Sequence, residues 1–184
     1  MIRFFFLLIL LIFLSFIFEF YVPPMIFLKG AAILFVPPLL FYGCLAFRFP
    51  LVLVLVFVTG LWNDLLTIPG SSGHPDYLIG TSIVIYLIPA LIIHGFRPLF
   101  LKKGWGVHLI LAEIAAILTP FGLLAQYAIL SFERSDFFFS DVIVWRILGP
   151  GLIAMVTTPF VFLFLSSLSH LVGFRPQAEV TKVS

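Results

Sequence analysis

Residues 57–76, FVTGLWNDLLTIPGSSGHPD, form the stretch in which an apolar chain first turns polar. A hydrophobic run that begins at Leu51 carries Gly60, a residue that lets helices pack closely, and then an acid, Asp64. Most other polar residues stand at the ends of apolar runs, whereas Asp64 stands inside one or very near its edge. The run ends in a loop rich in turn formers, Gly70, Gly73 and Pro75. This pattern indicates a membrane-spanning helix and its connecting loop.

The composition excludes a soluble domain with a polar surface. Apolar residues make up 62% of the chain, charged residues 10%, and the mean hydropathy is +1.25. A spanning helix needs ~20 residues, so a chain of 184 residues accommodates about six spans and no sizeable extramembrane domain. The net charge of +2 is small and its basic residues are dispersed, which argues against a nucleic-acid partner. The single cysteine, Cys44, has no partner for a disulfide.

The apolar runs predict an all-α polytopic membrane protein. We expect one transmembrane domain, residues 1–169, followed by a short cytoplasmic tail, residues 170–184. The six predicted spans cover about residues 4–22, 25–47, 51–66, 77–94, 107–130 and 142–168. The first is interpreted as a retained span because no small-residue cleavage site follows it. Prolines predict that the second and sixth spans are kinked or broken, at Pro37-Pro38, Pro150 and Pro159. The chain shows no period typical of a repeat protein.

The basic residues predict the orientation of these spans. One side holds the larger group, Arg3, Arg48, Arg97, Lys102, Lys103, Arg175 and Lys182. The other side holds Lys29 and Arg134, with Arg146 just inside the sixth span. We therefore expect both termini in the cytoplasm and outward loops at Asp64 to Asp76 and Glu133 to Asp141.

Asp64 is the first candidate for a functional residue. A helix that starts near Pro50 and rises ~1.5 Å per residue carries Asp64 ~20 Å up, near the outer interface of a ~30 Å hydrocarbon core. An acid there costs less than the ~3 kcal/mol expected at the bilayer centre, so no function is needed to justify it. A structural role, capping the next helix or bonding Asn63 and the loop serines, is favoured over partner binding. Both interpretations stay open.

Glu113 is the second candidate. It lies about two turns inside the fifth span and is flanked by alanines that allow another helix to approach, Ala112, Ala115 and Ala116. An inward-facing carboxylate is expected to pair with His94, Arg97 or His108. A proton relay would need a second buried acid at similar depth, and the sequence offers no obvious one.

Catalytic and metal motifs are missing from the sequence. His74 and Asp76, considered together with Asp64, match the spacing of no metal site, so neither a metal nor a cofactor is expected. The chain contains neither a Gly-x-Ser-x-Gly nor a His-Glu-x-x-His pattern. Its acids and histidines are scattered rather than gathered at one depth. We therefore expect no enzymatic activity.

From about Leu28 to Phe174 the order of features resembles the MreD family, small polytopic subunits of the bacterial rod-shape, or elongasome, machinery. The core of the resemblance is Gly60-Leu61-x-x-Asp64-Leu65, similar to the glycine, hydrophobic residue and aspartate pattern of the family. It extends to the Arg48 turn before that span, the basic connector after His94, and a proline in the last span. Gly60 and Asp64 match the pattern residue by residue.

The resemblance implies a non-enzymatic scaffold in the bacterial inner membrane. It implies that the protein binds the bitopic protein MreC laterally and helps couple a peptidoglycan synthase complex to MreB filaments. Gly60, Asp64 and Glu113 are then partner-binding or structural residues. Lys102 and Lys103 are candidates for contact with anionic membrane lipid, although the orientation signal explains them equally well.

A function from another class also stays open, the substrate-binding S component of a vitamin importer, which is a six-span bundle of the same size. An importer subunit needs an outward pocket, for which the natural lining is Trp62, Asp64, His74 and Asp76. Such subunits dock their transducer through small residues on the first helix. Between Phe4 and Phe18 this chain has one small residue, Ser15, which argues against that function.

Overall fold

The computed structural model describes residues 2–67, 79–101, 105–133 and 140–174. Across these four ranges the chain is helical and contains no β-strand, which confirms the all-α prediction. The helices are α1 (Ile2–Tyr21), α2 (Val36–Ala46), α3 (Phe49–Thr67), α4 (Thr81–Gly95), α5 (Arg97–Phe100), α6 (Trp105–Glu133) and α7 (Asp141–Leu171). A short 3-10 turn, Ile26–Leu28, precedes α2.

Four helices in the described part of the chain are long and apolar enough to cross a membrane, Ile2–Tyr21, Phe49–Leu66, Gly106–Ile129 and Asp141–Leu171. The predicted second and fourth spans correspond to the shorter apolar helices α2 and α4, of 11 and 15 residues. At ~1.5 Å per residue these measure ~16 Å and ~22 Å, less than a ~30 Å hydrocarbon core. The structure is thus that of a helical membrane protein with four helices of full spanning length.

The second predicted span differs most from its prediction, because its first half is not helical. Met25 and Ala31 close a tight turn, in which the Met25 N–H donates to the Ala31 carbonyl at 2.9 Å. The helix begins only at Val36, and Pro37 and Pro38 occupy its first turn. A proline there costs no hydrogen bond, since the first N–H groups of a helix have no partner within it. The paired prolines therefore start a helix and do not kink one.

The sixth predicted span is a single helix. Pro150 and Pro159 both lie inside α7, which continues from Asp141 to Leu171 without a break. A bend at either proline stays a prediction. Gly151, beside Pro150, lies against α6 so closely that a Cβ atom there would come within 2.4 Å of the Pro120 ring. The glycine therefore permits the close approach of α6 and α7.

Helix α2 is the centre of the bundle, because all of its 11 residues are buried. Its Tyr42 ring packs edge-on against the rings of Phe100 and Phe162, at 5.6 and 5.4 Å between centroids. A helix that is apolar on all sides is expected to be surrounded by other helices. The position of α2 explains how so short a helix is held in a membrane protein.

The two ends of the bundle are closed by different contacts. At one end the Phe4 ring stacks on Phe174, just beyond α7, with centroids 4.9 Å apart, and both contact Phe47 beyond the end of α2. At the turn before α2, Lys29 forms a salt bridge with Asp141 at the start of α7. Aromatic packing thus joins the first and last described segments at one end, and an exposed ion pair joins the turn to α7.

Candidate functional site

The Asp64 carboxylate lies at the N-terminus of α4. Asp64 is on the last turns of α3 and is 2% exposed. Its Oδ2 atom accepts a hydrogen bond from the Gly80 backbone N–H at 2.6 Å, and its Oδ1 atom accepts one from the Ser82 N–H at 3.2 Å. The carboxylate therefore bonds two backbone donors of the following helix.

Helix α4 needs these acceptors because it begins without a capping side chain of its own. The first N–H groups of any helix lack partners within it, and a side-chain oxygen at the preceding residue normally accepts from one of them. In α4 that residue is Gly80, with φ at +103°. A negative charge there also interacts favourably with the positive end of the helix dipole. Asp64 thus caps α4 from a neighbouring helix.

Gly60 and Asn63 belong to the same interface between α3 and α4. A Cβ atom on Gly60 would lie 2.6 Å from both the N and Cα atoms of Ile83, so only glycine fits there without movement. The Asn63 amide donates to the Ser82 hydroxyl at 2.7 Å. Gly60 and Asp64, singled out in the sequence, are one turn apart and act on the same neighbouring helix. Together they bring α4 close to α3 and hold its first turn.

Glu19 has the same geometry in the first two helices, and it was not among the residues singled out in the sequence. Its Oε1 atom accepts hydrogen bonds from the N–H groups of Phe35 and Val36, the latter at 2.8 Å. Phe35 directly precedes α2 and provides no capping side chain. Glu19 therefore caps α2 from α1. An acid near the end of an apolar run, ahead of a helix without its own cap, was the available signal.

The two caps have the same spacing along the chain, since each acid precedes the capped residue by 16 positions. We call helices α1 and α2 the first hairpin and helices α3 and α4 the second hairpin. A small residue stands four positions before each acid, Ser15 before Glu19 and Gly60 before Asp64. The two hairpins thus share one capping arrangement, in which an acid on the first helix accepts hydrogen bonds from backbone N–H groups at the start of the second.

Glu113 does not join this arrangement. It is half-buried on α6 beside the buried Ala112, and it has no ion pair with any other residue that the structure describes. Of its predicted partners, His94 places Nδ1 2.7 Å from the Cys44 carbonyl oxygen, and the His108 ring packs edge-on against Phe100. Arg97, the third predicted partner, is buried at the start of α5, and the pairing of Glu113 with a nearby cation stays a prediction.

The proposed lining of a metal or substrate site is only partly described. His74 and Asp76 lie outside the described residues. The remaining histidine, cysteine and acidic side chains, taken over the four described ranges, form no group of three that would hold a metal ion. Asp64 is occupied by backbone donors of α4.

A small cavity with both polar and apolar lining residues lies beside the second hairpin. Its volume is about 30 Å³, and its lining comes from α3, α4, α6 and the segment before α2, including Asn63, Ser82, Tyr86, Thr119 and Gln126. That volume is enough for one or two water molecules, which need ~10–15 Å³ each by the same measure. It is far below the ~300 Å³ at which small-molecule sites begin. The polar residues around Asp64 therefore enclose room for water and not for a metabolite.

A larger groove lies between α6 and α7. Its volume is about 530 Å³, and its described lining is apolar, with Pro120 and Gly151 among its residues. It is open to the side, where exposed residues such as Phe121 and Leu152 stand. Such a surface suits hydrocarbon and offers no polar group to orient a substrate.

No family model, no curated protein and no solved structure matches this chain. The residues described above are therefore the basis on which a function is proposed.

Proposed function

We propose that this protein is a non-enzymatic scaffold of the bacterial cell-shape machinery, an MreD-like protein of the inner membrane that binds an MreC-like bitopic protein laterally. The observation that carries the proposal is the use of Gly60 and Asp64. Both residues of the family-like pattern serve the packing of α3 against α4. Because Asp64 bonds the backbone of α4, it contributes to the stability of the bundle. A stable helical bundle can bind a partner through its lipid-facing helix surfaces.

We further propose that α2 and α4 complete six crossings of the membrane. Helix α2 is shorter than the hydrocarbon core, and it is fully buried at the centre of the bundle, where other helices enclose it. The contacts at the two ends support alternating directions, since Phe4, Phe47 and Phe174 meet at one end. The excess of basic residues, among them Arg3 and Arg48, favours a cytoplasmic position for that end and for both termini.

Scaffolding by such a bundle proceeds through lateral helix contacts. In a bilayer these contacts depend on van der Waals packing and interhelical hydrogen bonds, because lipid tails are as apolar as the side chains. An MreC-like protein is the direct partner in this proposal, and the peptidoglycan synthase complex and MreB are further members of the assembly. Lys102 and Lys103 lie outside the described residues, and their contact with anionic lipid stays a prediction.

The importer function has less support. An S component needs a pocket for a vitamin, whereas the cavity beside Asn63 and Ser82 has a volume of about 30 Å³; His74 and Asp76 of the predicted lining lie outside the described residues. The first helix also exposes bulky side chains, including Phe6 and Leu10, where docking through small residues would be required. Both observations favour the scaffold.

The proposal is tested by purifying the tagged full-length protein from its native membrane in nanodiscs and identifying the bound proteins by mass spectrometry. Recovery of an MreC-like bitopic protein and cell-wall synthases is expected. A tagged multi-pass protein of the same membrane and unrelated function, expressed at the same level, is the control. Recovery of ATPase subunits together with a bound small molecule would overturn the scaffold in favour of an importer.

A further inference from the structure

The turn before α2 packs against the first part of α7. Ala31, at the end of the turn, is fully buried, and a Cβ atom on Gly149 would come within 2.4 Å of its methyl group. One turn nearer the start of α7, the Arg146 Nε atom lies 3.7 Å from the position that a Cβ atom on Gly30 would occupy. The turn and the side chain of Arg146 are therefore direct neighbours.

Two cations, Lys29 and Arg146, flank this contact, and we call them the cation pair. Lys29 forms the salt bridge with Asp141, and its Nζ atom lies 5.9 Å from the centre of the Trp145 ring. Arg146 follows Trp145 directly and is exposed. No acid in the described part of the chain forms an ion pair with Arg146. The cation pair therefore keeps one positive charge when the charge of Asp141 is counted.

The length of α7 places Arg146 at the surface of the membrane. The 31 residues of this helix measure ~46 Å at ~1.5 Å per residue, which is ~16 Å more than a hydrocarbon core of ~30 Å. When both ends project equally, the core begins ~8 Å from the start of the helix. Arg146 is five residues after Asp141, or ~8 Å along the helix. It therefore lies at the boundary between the hydrocarbon and the lipid headgroups.

The end of α1 lies at the same level. Its 20 residues measure ~30 Å, the thickness of the hydrocarbon core, so Tyr21 stands where the core ends. Tyr21 is 79% exposed and Trp145 is half-buried, and these two residue types are enriched at membrane–water interfaces. The turn begins at Met25, four residues after Tyr21, and it contacts α7 beside Arg146. Both helices therefore place the cation pair in the headgroup layer.

Every phospholipid brings a phosphate to this layer. The guanidinium group of an arginine presents N–H donors in a planar fork that binds a phosphate through two hydrogen bonds, and the ammonium group of a lysine adds a compact charge. We propose that the cation pair binds the phosphate of an anionic phospholipid, whose acyl chains lie against the lipid-facing helices. The remaining positive charge favours a headgroup with a net negative charge over a zwitterionic one. The inference needs no protein partner, so it is independent of the proposed scaffold function.

The test measures the binding of phosphatidylglycerol to the full-length protein in detergent micelles, by native mass spectrometry and by the rise in unfolding temperature that a bound ligand produces. Arg146→Gln is expected to raise the Kd about tenfold, as loss of a charge-assisted contact through two hydrogen bonds implies. Lys29→Gln should raise the Kd less, about threefold, because Asp141 already neutralises this cation in part. Asp141→Asn should lower the Kd about threefold, since it removes the carboxylate that competes with the phosphate.

Arg48→Gln is the matched control. Arg48 is an exposed arginine beside Phe47, at the opposite end of the bundle, and its substitution changes the net charge by the same amount. It is expected to leave the Kd unchanged. Equal effects of Arg146→Gln and Arg48→Gln would overturn the inference, because they would show a general attraction between lipid and protein charge.

Two further comparisons test the nature of the ligand. Phosphatidylcholine with the same acyl chains is expected to bind more weakly than phosphatidylglycerol, and equal binding would overturn the assignment of an anionic headgroup. Inorganic phosphate is expected to raise the unfolding temperature less than the lipid does. An equal rise would show a site for a free anion, and the lipid assignment would fail.

The failure of this inference is distinguishable from failure of the proposed function. Because Arg146 is exposed, Arg146→Gln should unfold at the same temperature as the native protein in the absence of lipid, so a raised Kd reports binding and not unfolding. If Arg146→Gln binds phosphatidylglycerol as tightly as the native protein does, the lipid site is wrong and the scaffold is unaffected. If the lipid binds as expected and no MreC-like protein is recovered, the scaffold is wrong and the lipid site stands.

Discussion

The first and second hairpins have the same kind of helix cap, but their two helices pack together more closely in the second hairpin than in the first. In the second hairpin the capping acid is almost fully buried, and Gly60 lies against the backbone of Ile83. In the first hairpin Glu19 is half-buried, and Ser15, the counterpart of Gly60, lines an open groove. The surroundings differ, because Gly60 lies against α4 of its own hairpin, whereas Ser15 faces the groove on α1. Both hairpins thus use an acid on the first helix to cap the second. The packing of the two helices against each other differs between the hairpins.

The largest effect is expected from removing the buried cap. Asp64→Ala leaves the N–H groups of Gly80 and Ser82 without their acceptor, and unsatisfied buried donors cost about 1–3 kcal/mol each, so we expect a loss of about 3 kcal/mol in unfolding free energy. Glu19→Ala should cost about half as much, since water reaches a half-buried cap more readily. Unfolding by steric trapping in bicelles measures both. Equal losses would contradict the difference in burial between the hairpins.

The next effect is expected at the close contact of α3 and α4. Gly60→Ala forces the new methyl group against the Ile83 backbone, and overpacking of this kind costs about 2 kcal/mol. Gly122→Ala on α6 is the matched control, because a Cβ there meets its nearest neighbour at 3.7 Å and gains helix propensity. Ser15→Ala should be nearly neutral. The three unfolding free energies, measured side by side, test whether tight packing is confined to the second hairpin.

A smaller effect is expected when the cap is kept but its charge is removed. In Asp64→Asn the new amide oxygen still accepts one hydrogen bond from the backbone of α4, and the bond between Asn63 and Ser82 is unchanged. We therefore expect the unfolding free energy to fall by about 1 kcal/mol. Recovery of the MreC-like protein in the nanodisc purification should be unchanged. Normal stability together with reduced recovery would show instead that Asp64 takes part in the partner interface.

The smallest effect is expected at the salt bridge between Lys29, in the turn before α2, and Asp141, the first residue of α7. Lys29 and Asp141 have side chains that are 52% and 70% exposed, and exposed ion pairs contribute less than about 1 kcal/mol. Lys29→Ala should therefore change the unfolding free energy by less than either cap variant, with a difference that shrinks further at high salt. Asp141→Asn provides the complementary test. A large, salt-independent loss would mean that the turn before α2 holds the first hairpin more than Glu19 does.

The sequence was sufficient for the helical class, for the ends of most apolar helices, and for Gly60 and Asp64 as residues of interest. These follow from composition and from the cost of a polar group in an apolar run, which act locally. The start of α2 was missed because a proline inside a helix and a proline in its first turn look alike in a sequence. The capping role of Glu19 was missed because the N–H groups that it bonds begin 16 positions later in the chain, and only the folded structure brings them to the carboxylate.

The stacked rings of Phe4 and Phe174 come from the two ends of the described chain, so this contact forms only after both segments have been synthesised. Phe4 leaves the ribosome before all seven described helices are complete and Phe174 only after them, so the contact between the two rings forms late in synthesis. The Glu19 cap, by contrast, needs only the first 36 residues. A chain that stops short of Phe174 therefore lacks the ring that stacks on Phe4 and contacts Phe47, and this end of the bundle closes last.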